Sequence, residues 1–151
     1  MEINGKDVYF VAAKALMRDG DKLLLTHDIF DQWDLPGGRI KKDEFQKPLE
    51  EVLARKISEE LGDKIRYEIG RAVTFFQVER IEHLETGGEM PVRIFGIGYE
   101  VSYLGGEIDL GKHHDKLEWF DTSTLNPSDY LTGGWEKGVE KYLKEINNKG
   151  E

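Results

Sequence analysis

Glu59 and Glu60 stand one turn beyond Arg55, near the end of a charged segment that opens on Pro36-Gly37-Gly38 and closes at Gly62. Successive helical residues are about 100° apart, so residues four apart share a face. Glu51, Arg55 and Glu59 therefore fall on one line, and Lys56 and Glu60 on the next. Glu59 and Glu60 both reach one edge of such a helix, where two carboxylates can ligate Mg²⁺ or Mn²⁺ through oxygen. Arg55, one turn back, would hold Glu59 in place. Gly37 and Gly38 let the backbone come close, and the Gly37 carbonyl is a candidate for a further ligand. A cation held this way neutralises a diphosphate and orients an attacking water. An ordinary solvated helix face with i,i+4 ion pairs presents the same residue types, so Glu59, Glu60 and Gly62 alone do not decide between the two.

The elements that must position these residues follow from periodicity and turn chemistry. Val8 to Met17 is rich in strand formers at its start, Asp19-Gly20 is a hairpin signal, and Lys22 to Thr26 is the return strand. Ile29 to Trp33 reads as a loop leading into the Pro36-Gly37-Gly38 turn. Pro48 suits the first turn of a helix. Leu49, Val52, Leu53, Ile57 and Leu61 then recur as one apolar stripe, and Gly62 stops the helix. Strands are expected within Ile65 to Glu79 and over Val92 to Leu104, with a hairpin loop from Glu82 to Pro91 around Gly87-Gly88. Leu117 to Phe120 is a short apolar segment. Trp135, Val139, Tyr142, Leu143 and Ile146 mark a C-terminal amphipathic helix, and the tail over 147–151 is expected to fray. The order β-β-α-β-β-α predicts a mixed sheet packed between helices, an α/β (α+β) architecture.

Bulk properties narrow the function classes. The 151 residues suit one domain, spanning 1–151, with a sizeable core. With 30 acidic against 21 basic residues the formal charge is -9, which repels polymeric nucleic acid. A small phosphorylated ligand remains compatible, because a bound cation reverses the local sign. The chain has no cysteine, which excludes disulfides, thiolate metal sites and cysteine nucleophiles. The apolar run from Val8 to Met17 is broken by Lys14 and no basic segment precedes it, unlike a signal peptide. No run has the roughly 20 apolar residues of a membrane helix. A cytoplasmic protein without membrane attachment is expected.

The spacing of the whole segment resembles the Nudix hydrolase family, whose signature is G-x5-E-x7-R-E-U-x-E-E-x-G-U, with U a bulky apolar residue. Gly38 and Glu44 match its first part; Arg55, Ile57, Glu59, Glu60 and Gly62 match its second. Trp33, Leu35, Pro36 and Gly37 match the usual W-x-L-P-G lead-in. The resemblance implies an α/β/α sandwich, a Mg²⁺ or Mn²⁺ cofactor, Glu59 as a catalytic carboxylate supported by Arg55, and Glu44 as a ligand or orienting group. It also implies that Trp33, Gly38, Glu44 and Lys56 lie where substrate binds. Two departures bear on the chemistry. Ten residues, not seven, separate Glu44 from Arg55, and Lys56 stands where the family has its first glutamate after the arginine. That replacement changes the local charge by two units, so fewer cations are expected. Lys56 is free to pair with Glu60 or to contact a phosphate.

His113 and His114 precede Glu118 and Trp119. A surface histidine pair is commonly just solvated, and Glu118 suits an outward strand position. The placement is nonetheless similar to one Nudix branch, the GDP-mannose mannosyl hydrolases, which also lacks the first helix glutamate. The resemblance implies His113 as a metal ligand and His114 as general base, work suited to an imidazole near neutral pH. Phe30, Trp33, Phe75 and Phe76 are candidates to stack on a base, although most aromatics in such strands are core.

Two readings follow. One is a Mg²⁺-dependent hydrolase of a nucleoside diphosphate linked to another moiety: a nucleotide sugar, a dinucleotide or a nucleoside triphosphate. The other is a non-catalytic nucleotide-binding domain, motivated by Lys56. A protein-interaction module on the acidic face has little support. Family analogy alone implies a homodimer.

Overall fold

The structure is a computed structural model and describes residues 2–148. In chain order the strands are β1 (Glu2–Ile3), β2 (Lys6–Asp7), β3 (Tyr9–Asp19), β4 (Lys22–Asp28), β5 (Trp33–Asp34) and β6 (Gly37–Arg39). After a 3-10 turn at Lys42–Glu44 come α1 (Leu49–Leu61), β7 (Ile65–His83), β8 (Glu89–Gly106), β9 (His114–Asp121), a 3-10 turn at Pro127–Asp129, and α2 (Gly133–Asn148). The expected fraying over 147–151 does not begin at Asn147 or Asn148, which are helical; 149–151 lie outside the described residues.

Seven strands form one mixed sheet. β3 and β8 run parallel, from Tyr9 opposite Arg93 to Arg18 opposite Ser102, and β7 completes a long antiparallel hairpin with β8. β3 and β4 pair beside their turn, at Arg18–Leu23 and Asp19–Lys22. Farther from that turn β3 takes β6 as its partner and β4 takes β5, so the segment Trp33–Arg39 fills the opening between them. The Pro36 carbonyl continues this pairing by accepting the Ala15 N–H at 2.7 Å. The glycine turn is thus built into the sheet, not draped over it.

Both faces of the sheet are covered, which confirms the expected sandwich. On one side Ala12, Leu16, Leu23, Leu25 and Phe76 pack with Val139, Tyr142 and Leu143 of α2; on the other, Ala13, Ala15, Met17 and Leu24 pack with Leu53, Ile57 and Leu61 of α1. This two-sided burial explains why, Lys14 apart, apolar residues follow one another in β3 and β4 without alternation, since a strand covered on both faces needs none. α2 lies close against β7 because two of its residues lack a side chain. A Cβ on Gly134 would come 1.9 Å from the Gln77 carbonyl oxygen, and one on Gly138 would come 2.3 Å from the Phe76 ring. No helix among the described residues is long and apolar enough to cross a membrane.

Some boundaries differ from expectation, for local reasons. Strand pairing extends to His83 and resumes at Glu89, so the turn within Glu82–Pro91 is shorter than expected. Mutual bonds between Leu84 and the Gly87–Gly88 pair, each 3.0 Å, close it. β9 starts at His114 instead of Leu117, because its polar first residues pair with His27 and Asp28 of β4. The small β1–β2 ribbon was not anticipated. It turns at Asn4-Gly5, with φ 53° and 74°, a hairpin dipeptide already visible in the chain.

Candidate active site

The C-terminal end of α1 meets the glycine turn and the start of β9. Glu60 is 8% exposed, and its Oε1 accepts the Gly37 N–H at 3.3 Å. His114 Nε2 lies 3.6 Å from Glu60 Oε2. Backbone bonds at the helix end produce this meeting. Leu61 and Glu60 leave free carbonyls there, and the loop before β9 satisfies them: Asp109 N–H bonds the Leu61 carbonyl at 2.9 Å and Gly111 N–H the Glu60 carbonyl at 3.0 Å. Gly62, at φ 85°, ends the helix with its N–H on the Ser58 carbonyl. The loop is thereby pinned to α1, and β9 starts with His114 facing Glu60.

Burial sets the charge states. Desolvation raises the Glu60 carboxyl to a pKa of about 7, against the opposing pull of Lys14 and Lys56. Burial likewise holds His114 below the usual histidine range, so its ring is neutral near pH 7. Glu59 behaves in the opposite way. Its hydrogen bond from Arg55 keeps its pKa below the usual carboxylate value.

Arg55 is a clamp. Its Nε and Nη2 donate to the two oxygens of Glu44 at 2.6 and 2.7 Å, and Nη1 donates to Glu59 Oε1 at 2.9 Å. Glu44 also accepts the Lys41 N–H, is 3% exposed, and has its pKa held at about 2, chiefly by Arg55. The three extra residues before Arg55 therefore do not displace Glu44. They are taken up between the 3-10 turn at Lys42–Glu44 and the start of α1 at Leu49. With both oxygens on Arg55, Glu44 orients the guanidinium and is not presented to a substrate, a correction to its expected place among substrate-binding groups.

Lys56 lies inside the carboxylate cluster. Its Nζ is 3.4 Å from Glu59 Oε2 and 3.7 Å from Glu60 Oε1. Its stem crosses Gly38, where a Cβ would come 2.5 Å from Lys56 Cε. The two carboxylates with their oxygen donors fit one divalent ion whose remaining ligands come from water and substrate phosphate, the usual arrangement for Mg²⁺. No group of three or more His, Asp and Glu side chains among the described residues is arranged to hold a metal, so such an ion would depend on these two carboxylates and on ligands from outside the chain. His113 is exposed, and its carbonyl accepts the Ile29 N–H at 3.1 Å. Neighbouring side chains at a strand start point to opposite sides, so the structure brings His114, and not His113, to Glu60.

Beside this cluster opens a cleft of about 880 Å³, lined in part by Trp33, Gly38, Lys56 and Trp135. Trp33 stands edge-on to Phe120 and Tyr130, with centroids 6.0 and 5.4 Å apart. Of the other stacking candidates, Phe76 is fully buried in the core, Phe75 pairs with Phe95 at 5.8 Å, and Phe30 is 74% exposed. Three contributors were not foreseen. Lys14, buried in β3, bonds both oxygens of Asp34 at 3.0–3.1 Å and lies 4.9 Å from the Trp135 ring centre; its break in an apolar run was the available signal. Trp135 was assigned only to the stripe of α2. His27 is held between Asp115 at 2.7 Å and Asp31 at 2.8 Å, and these bonds, Asp115 first, raise its pKa. That bridge ties the cleft rim at Asp31 to β9.

Gly37 is the most constrained point of the turn. It has φ 136°, and a Cβ there would come 2.2 Å from the Ala13 carbonyl oxygen. Gly37→Ala is expected to cost about 1–3 kcal/mol from backbone strain alone and more from the clash, measured as a lower urea midpoint. An unchanged midpoint would contradict this account of the turn.

Residues 8–140 match the NUDIX domain family. No curated protein matches. Solved structures with similar folds include a MutT protein from Methanosarcina mazei Go1, at 20% identity and TM-score 0.74, covering 93% of this chain and 97% of that one. An ADP-ribose pyrophosphatase from Streptococcus suis is 18% identical at TM-score 0.65, with 92% of each chain covered. The E. coli dihydroneopterin triphosphate pyrophosphohydrolase is 14% identical at TM-score 0.64, covering 92% of this chain and 99% of that one.

Proposed function

The chain belongs to the Nudix family, and from that membership we propose that it is a divalent-cation-dependent hydrolase of a nucleoside diphosphate linked to another moiety. The observation that carries the reading is Glu60: a buried carboxylate behind the cleft residues Gly37 and Lys56, met by the Gly37 N–H, the Lys56 ammonium and the His114 ring from three separate stretches of chain. The names of the similar proteins, which include a pyrophosphatase of ADP-ribose and a pyrophosphohydrolase of dihydroneopterin triphosphate, support a diphosphate-containing substrate.

Glu59 and Glu60 are the groups that would hold one Mg²⁺ or Mn²⁺, with the Gly37 carbonyl as a further candidate. When bound, the ion neutralises the diphosphate and lowers the pKa of an attacking water. Arg55, fixed by Glu44, keeps Glu59 ionised and holds it beside Lys56. His114, neutral and next to Glu60, takes the proton from water as general base. Trp33, on the cleft wall, is the candidate to contact the organic part of the substrate, and Gly38 leaves room for Lys56 to reach a phosphate.

A panel of nucleotide sugars, dinucleotides and nucleoside triphosphates, assayed for nucleotide and phosphate release with Mg²⁺ and with EDTA, tests this reading. Turnover of at least one member, lost in EDTA, is expected. His114→Ala should lower kcat on that substrate by about 10²-fold or more, the usual contribution of a positioned base. Binding of nucleotides without turnover of any of them would instead support the second reading, a non-catalytic nucleotide-binding domain, which the lysine at position 56 favours.

A further inference from the structure

We propose that Lys56 is a resident cation: its ammonium serves the carboxylate pair in place of an additional divalent ion and binds the substrate's diphosphate directly, so that diphosphate binding does not require metal. This rests on the cleft being a diphosphate site, as argued above.

Three observations carry it. The Lys56 ammonium lies within 4 Å of both Glu59 and Glu60, on the oxygens that Arg55 does not use. A second ion bridging those oxygens would have to enter the space the ammonium fills, at a cost in like-charge repulsion. The lysine stem is seated, not free. It crosses Gly38 so closely that a Cβ at 38 would come 2.5 Å from its Cε and displace the lysine from this path. Its side chain is 25% exposed, and the residue lines the cleft, so the head group remains accessible to a ligand there.

The cleft wall supplies the third. Lys14, Arg39, Lys56 and Arg80 line it, outnumbering its carboxylates, in a chain whose formal charge is -9. The local reversal of sign that a phosphorylated ligand needs is therefore partly built from the chain's own cations. Lys14 is occupied by Asp34, and Arg39 is paired with Glu82 at 2.7 Å. Arg80 is held as loosely, 3.7 Å from the same Glu82 oxygen, but Lys56, at 3.4 and 3.7 Å from Glu59 and Glu60, is the cation that can turn to a phosphate while remaining beside that carboxylate pair. An ammonium binds phosphate as a point charge and needs no fixed geometry for it.

The test uses inorganic pyrophosphate and Mn²⁺ as separate probes on the full chain. Calorimetric titration of pyrophosphate in EDTA should show binding to the unaltered protein. Lys56→Gln should weaken it by about tenfold, the scale of one lost charge-assisted contact. Mn²⁺ titrated alone and followed by electron paramagnetic resonance should bind Lys56→Glu at least about tenfold more tightly than the unaltered chain, or with an added site, because a carboxylate replaces the ammonium. Pyrophosphate binding to Lys56→Glu should then depend on Mn²⁺. Absence of pyrophosphate binding in EDTA, equal affinity in Lys56→Gln, or unchanged Mn²⁺ binding in Lys56→Glu would each overturn the proposal. If Lys56→Glu does not fold, the Lys56→Gln arm decides alone. Because both readouts are equilibrium binding, they stand apart from turnover. A chain that binds pyrophosphate through Lys56 yet hydrolyses nothing sinks the hydrolase reading and leaves this one intact.

Discussion

Glu60→Gln is expected to abolish turnover and, in the same molecule, to raise thermal stability above neutral pH. The loss of activity should be on the order of 10³-fold in kcat, since an amide replaces a carboxylate that would hold the cation at the reacting diphosphate. The gain in stability follows from burial. Glu60 has a folded-state pKa of about 7, raised by desolvation above its ordinary 4.5. A raised pKa means that the protonated form is favoured in the fold. Its contribution to stability is fully present below the unfolded pKa and is lost as pH rises through about 7. Above pH 8 the unaltered chain buries an ionised carboxylate at a cost on the order of 3 kcal/mol. A glutamine keeps the acceptor oxygen for the Gly37 N–H and carries no charge, so in EDTA at pH 8.5 the variant should melt several degrees higher, roughly 5–10 °C. At pH 4.5 the two should melt together. Glu59→Gln provides the opposite case. Its carboxylate is about half exposed and ionised by Arg55, a depressed pKa whose stabilisation is present at neutral pH and lost in acid, so this variant should show no gain at pH 8.5. Full activity in Glu60→Gln would refute the assignment of Glu60 to the cation, and equal melting at pH 8.5 would refute the burial argument.

Phe76→Ala should be the most damaging single core truncation on the side of the sheet covered by α2. Phe76 is fully buried in β7, its ring centre lies 5.2 Å from that of Trp135, and it fills the space left by Gly96, Gly98 and Gly138. The three glycines around the ring supply no side-chain atoms of their own to refill the void. The cost should therefore lie at the upper part of the range for such truncations, about 3–5 kcal/mol, which lowers the melting temperature by roughly 10 °C. Because Trp135 lines the cleft and leans on Phe76, KM should rise with it, while kcat changes less, since α1 and Glu60 pack on the other face of the sheet. A destabilisation under about 1 kcal/mol would mean that α2 repacks freely.

These two residues differ in how far they were legible. Glu60 was marked by spacing: its place after Arg55 and before Gly62, on the edge of a helix with a clear apolar stripe, needs nothing beyond local periodicity. Phe76 was named only as one aromatic among several, and neither periodicity nor composition distinguishes a ring surrounded by glycines from one that stacks on a ligand. The strands that are buried on both faces, the helix α1, its stop at Gly62 and the helix α2 were likewise written in short-range pattern. So was the Asn4-Gly5 turn, although the ribbon it forms was not anticipated.

By itself the chain determined a sandwich of helices on a mixed sheet and a Nudix box with two irregularities, because turn residues and apolar repeats act over a few neighbours. Tertiary structure decided what the irregularities do. The longer spacing is absorbed ahead of α1, so that Glu44 still grips Arg55, and Lys56 settles between Glu59 and Glu60 over a glycine. It also decided which histidine matters. His114 reaches Glu60 because the loop over 107–113 must satisfy the carbonyls left open at the end of α1, a requirement between segments about fifty residues apart that no local pattern records.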